Sequence, residues 1–217
     1  MKEVISKEKY ISKTYELLSQ DGVEAVSIRR LAEELRCNSA NLYRYFDGLD
    51  ELILYASLKY LRDYLGEVRT LLSHVEDSLE LHFSVWECFA RHTFSYPEIF
   101  NNLFWGKYSH QLDRIIQDYY SIFPEELTGM DDYMRSVFLS GDFDYRDYLM
   151  LMRSVEDGRF TQQQAAFLNT ISMNLYRGFL KDLLDHPSNR NSERSKASFL
   201  ECIHRIFALE EAYALHS

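Results

Sequence analysis

The chain has 217 residues, 46% hydrophobic and 27% charged, which suits one large globular domain or a small one joined to a larger. No apolar run approaches the roughly 18–20 residues of a membrane span, and the first residues lack a basic-then-apolar signal pattern, so a cytoplasmic protein is expected. The net charge of −10 speaks against a protein that coats nucleic acid but leaves room for a locally basic site.

Three cysteines, Cys37, Cys88 and Cys202, are far apart and odd in number, which fits reduced thiols and gives no reason to expect a cysteine-held metal. Only 3 prolines and 8 glycines punctuate the chain, too few for the many tight turns of a β or alternating α/β fold. An all-α protein is expected. The charge is uneven. Residues 27–46 carry Arg29, Arg30, Arg36 and Arg44 against Glu33 and Glu34, a small basic island in an acidic chain.

Taken in order, Lys7–Gln20 spaces Ile11, Tyr15 and Leu18 as an amphipathic helix, closed by Asp21-Gly22. Ser27 is an N-cap for a second helix with Ile28, Leu31, Ala32 and Leu35 on one face. After Arg36-Cys37-Asn38, a two-turn helix is expected over Ser39–Phe46, then a long one from Leu49 to about Leu72. Two short helices about a three-residue turn form the helix-turn-helix pattern. At about 100° per residue, Leu42 and Phe46 make a buried edge. Ala40 and Arg44 lie opposite, flanked by Asn41 and Tyr43. A helix with such a small, polar, basic outer face suits a major groove, although a solvated surface helix would show the same pattern.

The stretch Ile11–Leu52, with Gly22, Val26-Ser27, Leu31-Ala32, Leu35, Leu42-Tyr43-Arg44-Tyr45-Phe46 and Glu51-Leu52, resembles the N-terminal DNA-binding domain of tetracycline-repressor-type (TetR) regulators. The resemblance implies a homodimer whose heads, residues 1–48, bind a palindromic operator in double-stranded DNA. Residues 49–217 would form the helical ligand-binding and dimerisation domain, a small effector releasing the DNA. Asn41, Tyr43 and Arg44, with Ala40 beside them, are then the expected base-facing residues. Ser27, Arg29, Ser39 and Tyr45 are the expected phosphate contacts.

Three features depart from the family pattern. Arg36 stands where a left-handed glycine is usual, at a cost of roughly 1 kcal/mol or more. Asp47-Gly48-Leu49-Asp50 replaces a basic stretch. Lys2, Lys7, Lys9 and Lys13 are offset by Glu3 and Glu8. These departures keep open a different reading, a helical ligand-sensing or protein-interaction module that has lost operator binding.

Further along, Asp77-Ser78 caps a helix from Leu79 to about Phe94, and Pro97 opens another with Ser95 as a possible cap. Helical patterns follow over Tyr108–Phe123, 131–139 and 143–156. Thr161–Asp185 has two apolar faces, Ser188–Ser195 reads as a loop, and Ala197–Leu215 is the last helix. A helix apolar on two sides is either a central core element or half of an interface. With the resemblance, Leu168, Leu175 and Phe179 together with Ile203 and Phe207 are expected at a dimer interface.

Nine aromatic residues fall between 83 and 108. Trp86, Phe89, Phe104, Trp105 and Tyr108 suit either ordinary core packing or the wall of a cavity for an apolar or cationic ligand, with Phe138, Tyr148 and Met152 closing its far side. Glu87 reads as an i,i+4 partner of Arg91 or as an anion in that pocket. There is no phosphate loop, nucleophile elbow or zinc-protease motif, and His74, His82, His92 and His110 are scattered. Neither an enzyme nor a metal or other cofactor is expected.

Overall fold

The computed structural model describes residues 5–214, so Lys2, Glu3 and Leu215, the expected end of the last helix, lie outside the described part. Within it the protein is all-α, with eleven α-helices, short 3₁₀ turns and no strand among the described residues. Helix α1 (Lys7–Asp21) is capped by Ser6 and buries Tyr10, Ile11, Thr14, Leu17 and Leu18. Helix α2 (Ile28–Glu34) starts at Ser27, whose Oγ accepts the Arg30 N–H.

Three expected elements take a different form. Residues Ser39–Arg44 are a 3₁₀ turn rather than a two-turn α-helix, begun by Asn38, whose Oδ1 accepts the Ala40 N–H. The long helix after Gly48 is broken into α3 (Leu49–Leu58) and α4 (Leu61–His74). At the joint, Lys59 and Tyr60 bond three residues back instead of four. No proline or glycine marks this break. Lys59 leaves the helix line to pair with buried Glu126 at 3.5 Å and to lie 3.7 Å over the Phe123 ring. Tyr60 wedges between Tyr15 and Tyr96. Thirdly, α11 (Ser192–Ala214) begins inside the stretch expected as a loop, which reduces that connection to a turn around Pro187–Asn189.

Between these lie α5 (Ser78–Phe94), capped twice by Asp77, and α6 (Pro97–Trp105). Pro97 occupies the first turn of α6, but the capping position falls on Tyr96, while Ser95 Oγ donates back to the Arg91 carbonyl. Helix α7 (Leu112–Ile122) follows a 3₁₀ turn, then come α8 (Asp132–Leu139) and α9 (Phe143–Glu156), capped by Asp131 and Asp142. Helix α10 (Gln162–Asp185) opens with a Thr161/Gln164 capping box.

Helices α1 and α3 pack together at the head end, and α5 sits centrally against α4, α9, α10 and α11. A continuous core joins the two ends. Phe46, just after the Ser39–Arg44 turn, meets the Tyr55 ring edge-on at 5.4 Å, and Phe94, Tyr176 and Phe199 interlock deeper in the body.

Candidate functional site

In the head, the turn after α2 is held by two backbone bonds, Cys37 N–H to Ala32 O at 2.9 Å and Arg36 N–H to Glu33 O at 3.2 Å. That pairing requires a left-handed residue between helix and turn. Arg36 supplies it, with φ of 50°. Tertiary contact pins the strained turn, because Cys37 Sγ lies 3.2 Å from the Tyr10 hydroxyl on α1.

Leu42 and Phe46 are buried, as their spacing indicated. In a 3₁₀ turn residues three apart eclipse, so Ala40 aligns with Tyr43 and Asn41 with Arg44. Both pairs face away from Leu42. Tyr43 is 59% exposed and Arg44 is also exposed. Tyr45 is half-buried, tilted against Tyr10 at 6.2 Å. Exposed Arg29 pairs with Glu33 at 2.9 Å, and Arg30 is tied to Asp21 and to the Ala25 carbonyl. An exposed i,i+4 pair is worth little, so Arg29 exchanges Glu33 for another anion at small cost. Ser27 is exposed, and exposed Ser39 borders a shallow groove with Arg29, Arg36 and Asn38.

In the body, Trp86, Phe89 and Phe138 border a cavity of about 40 Å³, together with Tyr64, Val68, Phe143, Asp147 and Met150. Phe104 stands one layer back, stacked on Phe143 at 4.4 Å. Trp105 packs against Tyr176 beneath Arg177, and Tyr108 is half-buried beside Lys107. Tyr148 and Met152 do not border this cavity. Glu87 is exposed, and Arg91 reaches Glu67 on α4.

The polar side of the cavity escaped the sequence reading. Asp147 is buried with its Oδ2 unpartnered, and His82 Nδ1 lies 3.7 Å from its Oδ1. His82 Nε2 is likewise buried without a partner. Burial raises the Asp147 carboxyl well above its ordinary range and pulls the His82 imidazole down to about 3, so both favour their neutral forms. Arg146, next in sequence, spends its donors on the Ser140 and Phe138 carbonyls and does not neutralise Asp147. The one available signal was a carboxylate at a core position of α9, in register with Phe143, Met150 and Leu151.

Leu168, Ile203 and Phe207 are 0%, 0% and 1% exposed within the single chain, covered by its own side chains rather than facing outward. Leu175 and Phe179 are half-buried. The outer faces of α10 and α11 instead present Phe167 and Ile171, and Cys202, Ile206, Leu209 and Tyr213, at helical spacing.

A helix-turn-helix head on an all-α body defines the helix-turn-helix class of regulators. Residues 11–56 match the family described as bacterial regulatory proteins, tetR family, so the head is that of the tetR family. The likeness in fold spans nearly the whole chain. A TetR variant from Acinetobacter baumannii AYE, solved in complex with minocycline, is 16% identical with a TM-score of 0.59, covering 96% of this chain and 98% of its own. The regulator PfmR from Thermus thermophilus is 19% identical with a TM-score of 0.52, covering 91% and 97%. No curated protein sequence matches the chain significantly.

Proposed function

We propose that the protein is a homodimeric repressor that reads a palindromic operator with residues 39–45 and releases it when a small apolar or cationic effector enters the body. The observation that carries the reading is the turn itself, with Leu42 and Phe46 buried beneath it and Asn41, Tyr43 and Arg44 presented above. Residues 1–48 supply the reading surface and 49–217 the effector and pairing surfaces. Ser27, Arg29, Ser39 and Tyr45 flank the reading turn as phosphate contacts, and Ala40 allows close approach.

The effector site is the cavity against Trp86, Phe89 and Phe138. At about 40 Å³ it holds no more than water-sized guests, so an effector must part α8 and α9 from α5 to enter. The unpartnered Asp147 oxygen favours a guest with an N–H or cationic group there. That the A. baumannii TetR variant of similar fold was solved in complex with minocycline supports this reading.

Selection of bound duplexes from random DNA tests the reading. Two inverted half-sites spaced by about one helical turn or more are expected. No enriched pair, with the dimer and ligand binding intact, would favour the module that has lost operator binding.

A further inference from the structure

We propose that Glu67, Cys88 and His92 form a binding site for a divalent borderline metal ion of the zinc class, bridging α4 and α5. Cys88 and His92 are one turn apart on α5 and face α4, from which Glu67 projects. Cys88 Sγ lies 3.3 Å from Glu67 Oε2, and His92 Nε2 lies 3.0 Å from Glu67 Oε1. All three donor atoms fall within 4.8 Å of one another. Around a tetrahedral zinc ion, with bonds of about 2.0–2.3 Å, neighbouring donors stand roughly 3.3–3.7 Å apart. The side chains thus need only small adjustments to close on an ion.

The donor set is specific. One sulfur, one imidazole and one carboxylate match zinc or cobalt(II), whereas magnesium and calcium demand oxygen alone. Three protein donors leave a fourth position for water. Cys88 is buried, while His92 and Glu67 are 17% and 43% exposed, so an ion arrives from solvent and meets the sulfur last. On coordination the Cys88 thiol gives its proton to solvent, and its hydrogen bond to Glu67 is replaced by the metal bond.

One neighbour competes. The Arg91 guanidinium pairs with Glu67 and sits 3.8 Å from Cys88 Sγ, where it fills the place of the cation. Arg91 is exposed and can swing away. Removing it should tighten metal binding, an outcome that a merely structural role for the cluster does not produce. Sequence reading passed over the site because Glu67 is 21 residues from Cys88 and meets it only through helix packing. Cys88 and His92 border the outer side of the α4–α5 contact whose inner side faces the cavity, with Tyr64 6.2 Å from the His92 ring. An ion here clasps α4, which follows the head-packed helix α3 across the Lys59–Tyr60 joint, to the central helix of the body.

Titration of the full-length protein with cobalt(II), followed by absorbance, is the test. A sulfur-to-cobalt charge-transfer band and tetrahedral visible bands saturating at one ion per chain are expected, both bleached by zinc. Cys88→Ser should abolish the charge-transfer band. His92→Gln and Glu67→Gln should weaken binding at least tenfold, and Arg91→Ala should strengthen it severalfold. Zinc-dependent thermal shift, with circular dichroism of each variant, separates lost ligands from lost folding. Absence of a thiolate band in the wild type, or a band that survives Cys88→Ser in a folded variant, overturns the proposal.

Discussion

Arg114 on α7 donates from Nη2 to Glu51 Oε1 at 2.7 Å, while Glu51 Oε2 accepts the Asp47 backbone N–H at 2.6 Å. One buried carboxylate therefore holds the end of the 39–44 turn and the body of the protein together. A second tie runs parallel to it. Asp118, also on α7, accepts from the Tyr55 hydroxyl at 2.6 Å and pairs with Lys7 on α1. These two carboxylates tie α7 to the head end of the protein.

Arg114→Ala should destabilise the protein by about 1 kcal/mol, the low end for a charged hydrogen bond because Arg114 is half exposed. A urea double-mutant cycle with Glu51→Gln should give a coupling of at least about 0.5 kcal/mol. Additive effects would show that the link does not join the two parts.

Arg36→Gly should stabilise the head. A side chain at φ of 50° costs roughly 1–2 kcal/mol, partly offset by the greater freedom of glycine in the unfolded chain. A rise of about 1 kcal/mol is expected in urea unfolding. A loss of stability would mean that the Arg36 side chain makes compensating contacts.

Arg44→Ala should leave folding unchanged and weaken operator binding by roughly 1–3 kcal/mol, relaxing preference at one position in each half-site. Leu42→Ala removes a fully buried side chain and should instead cost about 2–5 kcal/mol of stability. Thermal melts and binding to the selected operator separate the two. Unchanged operator binding by a folded Arg44→Ala variant would remove Arg44 from the reading surface.

Charge on the outer stripe should divide pairing from folding. Leu209 is 70% exposed, so Leu209→Glu is expected to give folded monomers that bind the operator weakly. Phe207 packs inward against His82, Phe83 and Phe160, and Phe207→Glu should unfold the chain. Light scattering with circular dichroism reads both. A dimer that survives Leu209→Glu would place the interface elsewhere.

Stability should fall on acidification through His82. Its folded pKa of about 3 lies below the unfolded value of about 6.5, so the contribution is complete above pH 6.5 and is lost as pH falls toward 3. The groups facing the ring are Asp147, Trp86, Phe83 and Phe207, and burial likewise raises the Asp147 carboxyl above its ordinary range. His82→Gln should flatten the acid limb of denaturation by a few kcal/mol. An unchanged limb would assign acid sensitivity to other groups.

What the sequence by itself determined is local. Ser27 and Asp77 each cap the helix that their position announced, because a capping bond spans only two or three residues. The tight turn around Arg36 and the buried edge of Leu42 and Phe46 were legible for the same reason. Tertiary structure decided what depends on distant partners. Lys59 breaks a helix of ordinary propensity because Glu126 and Phe123, more than sixty residues away, claim its ammonium group. Periodicity found the apolar residues of α10 and α11, but both sides of each helix carry them. Burial by α5 drew Ile203 and Phe207 inward and left Leu209 and Phe167 outside. Asp147 and Glu67 joined their sites in the same way, since a carboxylate's neighbours across a helix interface are set by packing rather than by spacing along the chain.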